Sequence, residues 1–159
     1  MIRRIRQISL FIIFLFISSC VPPAHMYRKG RMFEQDNKRE KIVRTAERYV
    51  GIKYKYGGAT PFGFDCSGFV QFVYKKHGLD IPRGTDDQYS AGRKIGIGEV
   101  RPGDLVFFRI NGSGISHVGI YAGEKKFIHS PSSGKKISYA DIESPYWKEK
   151  YAGAATYFK

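Results

Sequence analysis

Apolar residues recur along this chain in two rhythms, and the rhythm changes past its middle. Ile42, Val43, Ala46, Tyr49 and Val50 repeat at helical spacing. Asn37, followed three residues later by Glu40, supplies a capping-box start, so the pattern predicts a helix over Asn37–Gly51. Phe69, Val70, Phe72 and Val73 make a second stripe. Asp65 before it and Gly78 after it are the expected N-cap and C-terminal stop, which puts Cys66 at the first helical position. Thr85 and Gln88 repeat the capping-box pattern ahead of a short helix. From Pro102-Gly103 onward the spacing is that of strands: Leu105–Phe108, Ser116–Tyr121, Lys126–Ser130, Lys135–Tyr139 and Tyr151–Phe158. The last two are separated by an irregular piece that holds Pro145 and Trp147. Helices first and an antiparallel sheet after them define an α+β fold, with no internal repeat.

Composition narrows the class. The 159 residues are 42% hydrophobic, with 12 Phe and 11 Tyr, enough for one core and too aromatic for a disordered chain. A charged share of 26% excludes a multi-span membrane protein. The formal net charge of +13 suits an anionic partner such as a nucleic acid, phospholipid headgroups or an acidic polymer.

Part of that charge is an address. Arg3, Arg4 and Arg6 precede an uncharged run from Ile8 to Ile17, roughly half the ~20 residues of a spanning helix, which favours a secretory signal over a permanent anchor. Ile17-Ser18-Ser19-Cys20 resembles the lipobox of bacterial lipoproteins. The resemblance implies a signal peptide over residues 1–19 and a mature chain that starts at lipidated Cys20, whose acyl chains suffice for stable anchoring. Val21 stands where lipoproteins retained at the inner membrane carry Asp, which points to the outer membrane, facing the periplasm. Cleavage removes three arginines and no acid, leaving +10 on 140 residues. Residues 20–40, poor in apolar side chains, read as a basic tether and residues 41–159 as the domain. No zinc-finger spacing, phosphate loop or paired-helix recognition pattern accompanies the basic residues, so a solvated tether is preferred to a nucleic-acid site.

With Cys20 acylated, Cys66 has no disulfide partner in an exported chain. Such a thiol is either a small buried hydrophobe or a reactive group. At a helix start it meets unpaired N–H groups and the positive end of the helix dipole, which favour a thiolate. Gly68 would let another backbone or a substrate come close there. A thiol nucleophile needs a base and a group to orient it. His25 lies in the tether and His77 beside the helix stop at Gly78, leaving His117 and His129. A three-residue loop at Gly123–Lys125 would set Ala122 against Lys126 and Gly119 against His129. His117 would then lie diagonally from His129 on one face, about 7 to 8 Å away between Cα atoms. A two-residue turn would send the rings to opposite faces. A zinc site made of Cys66, His117 and His129 is the weaker alternative, because no paired-ligand spacing supports it.

Five segments, in order, then carry a resemblance: Tyr54-Lys55-Tyr56-Gly57-Gly58, Phe64-Asp65-Cys66-Ser67-Gly68-Phe69-Val70, Arg101-Pro102-Gly103-Asp104-Leu105-Val106-Phe107-Phe108, Ser116-His117-Val118-Gly119-Ile120-Tyr121 and Phe127-Ile128-His129. They resemble the NlpC family of papain-like cell-wall cysteine peptidases. The resemblance implies Cys66 as nucleophile, His117 as base and His129 as the residue that fixes the imidazole. It also implies that Tyr54 and the Cys66 amide hold the oxyanion, and that Asp65 and Ser67 receive the polar groups of a peptidoglycan stem peptide. Tyr56 stands where relatives often carry Trp. No metal or organic cofactor is required. A wall-binding lipoprotein without catalysis and an acyltransferase are the rival functions on the same scaffold.

Overall fold

The structure, a computed structural model, describes residues 24–159 apart from 111, 113 and 133. The expected signal peptide, Cys20 and Val21 lie outside the described residues. Among the described residues, α1 (Ala24–Glu47), α2 (Cys66–Lys75), α3 (Thr85–Ala91) and α4 (Pro145–Lys150) accompany eight strands. β1 (Ala59–Thr60) and β2 (Gly63–Phe64) form a small hairpin ahead of α2. β3 (Arg93–Ile95), β4 (Leu105–Phe108), β5 (His117–Gly123), β6 (Lys126–His129), β7 (Ser138–Asp141) and β8 (Tyr151–Thr156) form one antiparallel sheet in the order β3-β8-β4-β5-β6-β7. The fold is α+β, as the change of rhythm required. No described helix is long and apolar enough to cross a membrane.

Strand alternation sorts the core into two layers. Leu105, Phe107, Val118, Ile120 and Ile128 join Ile42, Ala46, Phe69, Val70 and Val73 in the cluster that α1 and α2 cover. Val106, Phe108 and Phe127 belong to a smaller cluster that also includes Trp147 of α4. β4 is buried along its whole length, which explains its unbroken apolar run.

Several expectations are corrected. α1 starts at Ala24, not Asn37, which is exposed inside the helix. Ala24, Met26, Arg28, Lys29, Arg31, Met32, Glu34 and Gln35 are good helix formers, so propensity extends the helix past Gly30 where no apolar stripe marks it. Met32 and Phe33 are exposed there. The helix ends at Glu47, and Val50 is exposed instead of completing the stripe. Arg39, on the tether side of residue 40, is buried. It donates to Asp104 Oδ1 at 2.8 Å, to the Pro102 carbonyl at 3.2 Å and to Thr156 Oγ1 at 3.2 Å. The strand expected over Lys135–Tyr139 runs from Ser138 to Asp141, with Lys136 making only an isolated bridge to Lys53. The irregular piece is α4, with Ser144 at the N-cap position and Pro145 in its first turn, where the missing N–H costs nothing.

The β5–β6 connection is a two-residue turn, with Glu124 and Lys125 both at positive φ, and Gly123, not Ala122, pairs with Lys126. A register shift between Tyr121 and Gly123 then absorbs one residue. Beyond it Tyr121 pairs with Phe127 and Ile120 with Ile128, a register that continues to Gly119 against His129. The turn differs from expectation, yet the bulge returns the two histidines to one face.

Candidate active site

Asp65 has extended backbone and accepts the Gly68 amide at 2.7 Å, which fixes the start of α2 and leaves Cys66 as its first residue. A Cβ on Gly68 would collide with the Gly58 carbonyl oxygen, so the glycine is what lets the preceding loop lie against the helix start. The Asp65 amide donates to that same carbonyl at 2.9 Å. Ser130 closes the other side by donating to the Phe64 carbonyl at 2.8 Å. The end of β6 is thereby tied to the residue before Asp65.

Arg83 completes this corner, and nothing in the sequence pattern marked it. Its guanidinium grips both Asp65 oxygens, Nη1 to Oδ1 at 2.9 Å and Nη2 to Oδ2 at 2.6 Å, and donates to Ser67 Oγ at 2.8 Å. A planar fork on a carboxylate fixes both partners in direction as well as distance. Thr85 was expected to cap a helix. Gly84 takes the cap, and Thr85 Oγ1 sits 3.9 Å from Cys66 Sγ. Tyr54 is half-buried and its amide donates to the Lys135 carbonyl at 2.9 Å. Burial raises its phenol above the ordinary value, and neighbouring Cys66 and Asp65 add to that rise.

His117 and His129 meet. Nε2 of His117 and Nδ1 of His129 are 2.8 Å apart, with the rings perpendicular and both residues buried. Gly119 keeps the neighbouring strand close, because a Cβ there would meet Phe127 Cδ2 at 2.5 Å and crowd the His129 Cβ at 3.2 Å. Alternation sends His117 to the sheet face that carries Trp147, while Val118 turns toward α2. Cys66 reaches the same strand end from the helix side, where the Val118 amide works to lower its thiol. The sulfur and the imidazole pair therefore flank adjacent residues of β5, with no hydrogen bond from Sγ to either ring among the described residues.

The resting charges correct one expectation. Burial pushes the Cys66 thiol up, and the Asp65 charge adds to it. The Thr85 hydroxyl and the Ser67 and Val118 amides oppose this without overcoming it. Burial lowers both imidazoles well below their usual range, reinforced at His117 by His129 and at His129 by Lys135. All these shifts favour a neutral thiol beside neutral rings. Desolvation thus works against the thiolate that the helix start favours.

A cysteine opening a helix that packs on an antiparallel sheet, with a bonded imidazole pair at the strand end it touches, is a papain-like arrangement. Comparison with known proteins makes the class definite: the chain belongs to the NlpC/P60 family, which matches residues 51–156. It is 41% identical over 119 residues to the gamma-D-glutamyl-L-lysine dipeptidyl-peptidase of Bacillus subtilis, covering 73% of this chain and 40% of that protein. It is 45% identical over 105 residues to the murein DD-endopeptidase MepS/murein LD-carboxypeptidase of Escherichia coli K12, covering 65% and 54% respectively. The crystal structure of an NlpC/P60 family protein from Bacillus cereus superposes with a TM-score of 0.73 at 33% identity, over 76% of this chain and 40% of that one. The aligned part is thus 40–54% of the length of the two enzymes.

Proposed function

We propose that this chain is a lipid-anchored peptidoglycan endopeptidase that hydrolyses amide bonds in murein stem peptides or cross-links, with Cys66 as nucleophile, His117 as base and His129 as its orienting partner. The observation that carries the reading is the 2.8 Å His117–His129 bond, made at the end of a strand whose next residue, Val118, packs in the same core as Cys66. For His117 to accept a proton on Nδ1, its own N–H must sit on Nε2 and donate to Nδ1 of His129. His129 thus selects the tautomer as well as the ring plane.

From a neutral pair, the thiol proton passes to His117 as sulfur attacks the amide carbonyl. The imidazolium returns that proton to the leaving amine. Water, activated by His117, then clears the thioester. The Cys66 amide and the Tyr54 hydroxyl stabilise the oxyanion, a contribution on the order of 3 kcal/mol for each good donor. Asp65 and Ser67, held by Arg83, receive polar groups of the stem peptide. Acyl chains on Cys20 keep the domain beside its polymer, in the outer membrane facing the periplasm.

The neutral resting pair also favours a second reading, a wall-binding lipoprotein that retains the groove without turnover. Mass spectrometry of wall digests made with wild-type protein and with Cys66→Ala separates the two. The peptidase reading expects cleaved stems from the wild type and none from the variant, with unchanged thermal unfolding. Saturable binding without product in both proteins would establish the second.

A further inference from the structure

Trp147, the only tryptophan in the chain, belongs to the short helix that the sequence pattern left irregular. Its indole is stacked on the His117 ring, with centroids 5.5 Å apart and planes 25° from parallel. It meets His129 edge to face at 5.0 Å. Phe127 at 5.0 Å and Phe108 at 4.7 Å pack it edge-on, so the indole is held from below by the sheet it covers. A single side chain therefore touches both members of the imidazole pair. It does so on the face opposite the one from which Cys66 approaches.

We propose that Trp147 is the positioning residue of the His117–His129 pair: its stacked face fixes the His117 ring plane and stabilises the positive charge that this ring acquires from Cys66. In that step the S–H bond breaks, its electron pair stays on sulfur, and the proton forms an N–H bond at Nδ1 of His117. Burial opposes a cation at this position, and the other titratable groups nearby do little to help it. His129 on β6, with Lys135 beyond it, disfavours a second positive charge. Tyr151, its phenol raised to about 12, stays neutral where the enzyme works. Tyr146 lies against the far side of the indole, 5.0 Å from it. Asp65, the carboxylate that caps α2, is already occupied by Arg83. An indole face adds a stabilising contact on the open side of the ring, and tryptophan is the strongest aromatic partner for a cation.

The inference deepens the peptidase reading and rests on it for the identity of the base, so its test reads the thiol directly. The rate of Cys66 alkylation by iodoacetamide, followed by peptide mass in the full chain, is measured against pH for wild type, Trp147→Phe, Trp147→Leu and His117→Asn, with thermal unfolding alongside. Near neutral pH the expected order is wild type, then Phe at about threefold slower, then Leu at about tenfold slower. The Leu profile should approach the single alkaline rise of His117→Asn. A purely structural role predicts an unmoved pH profile, with rates equal to wild type or faster where loosened packing admits the reagent. Rates in the Phe and Leu variants equal to or above wild type, with an unmoved pH profile, overturn the proposal. The Phe variant keeps the test decisive if Leu does not fold. Wild-type failure to cleave wall digests would reject the peptidase reading while leaving this order to be read.

Discussion

Two buried polar pairs of the same length hold this molecule, and they are built on opposite plans. Arg39 and Asp104 lock α1 to the sheet at 2.8 Å, and His117 and His129 meet on the other side at 2.8 Å. All four residues are buried. The first pair is embedded in further bonds: Arg39 also serves the Pro102 carbonyl and Thr156, Asp104 accepts the Arg101 amide at 2.9 Å, and the Phe158 ring lies 3.9 Å from the guanidinium carbon. The second pair uses one nitrogen of each ring and leaves the others outside it. The structural pair spends most of its capacity on its surroundings, with Arg39 Nε left as a buried atom without a partner. The histidine pair keeps capacity in hand and accepts a cost in burial to do so, as the proposed base and its partner require.

The largest effect that separates them is on turnover. His117→Asn keeps a side chain able to bond His129 but removes the base. We expect kcat/KM on wall fragments to fall by about 10² to 10⁴, the range for a lost general base, with little change in the urea midpoint. A large loss of stability with proportionate activity would make the histidine pair a second lock, and the contrast would collapse.

Next in size is the mirror experiment. Arg39→Met leaves Asp104 buried without its cation and should cost about 3–5 kcal/mol of stability in urea unfolding, while activity per folded molecule stays near wild type. Arg39→Met combined with Asp104→Leu should recover most of the loss, because the penalty belongs to the unpaired charge more than to the missing bond. If the double variant is no more stable than the single one, the lock acts by shape instead.

The sequence exposed one of these pairs and hid the other for a physical reason. The caps of α2 and the alternation of β5 and β6 are local, so Cys66, His117 and His129 could be placed on their elements without coordinates. Their common face was legible only because the bulge between Tyr121 and Gly123 offsets the shorter turn. Arg39 lies 65 residues from Asp104 and Arg83 lies 18 from Asp65, and neither carries a periodic signal. Trp147 had no assigned task, since stacking on His117 depends on how α4 returns across the sheet. Helix-start electrostatics, which favour a thiolate, can be read locally, whereas the desolvation that pushes the thiol the other way is a property of the whole fold.

Acid should distinguish the pairs more gently. Burial lowers the folded His129 to about 4 and His117 further, whereas unfolded imidazoles titrate near 6.5. The unfolded chain therefore binds protons first as pH falls. The stability from keeping the rings neutral is complete above about pH 6.5 and declines below it until the folded rings themselves protonate. A loss on the order of 3 kcal/mol for each ring between pH 6.5 and 4 is expected from urea midpoints. The His117→Asn, His129→Asn double variant should lack most of that decline. Equal acid sensitivity in both proteins would place the titrating groups elsewhere.

The smallest expected effect tests how finely the thiol is set. Thr85 Oγ1 is the side-chain group within hydrogen-bond reach of Sγ, at 3.9 Å, and it is the leading influence that lowers the thiol against the rise from burial. Thr85→Val keeps the shape and removes the hydroxyl, so the thiol should rise further and Cys66 should be alkylated about threefold more slowly near neutral pH, the scale of one modest hydrogen bond. Thr85→Ser should restore the rate, because the donor returns without the methyl group. Slowing by both substitutions would mean that the methyl packing, not the hydroxyl, sets the sulfur. The distinction matters for the comparison of the two pairs. A hydroxyl that tunes the thiol is a group held in reserve at the reactive end of the sheet, whereas a methyl that merely packs would make this corner as purely structural as the one around Arg39.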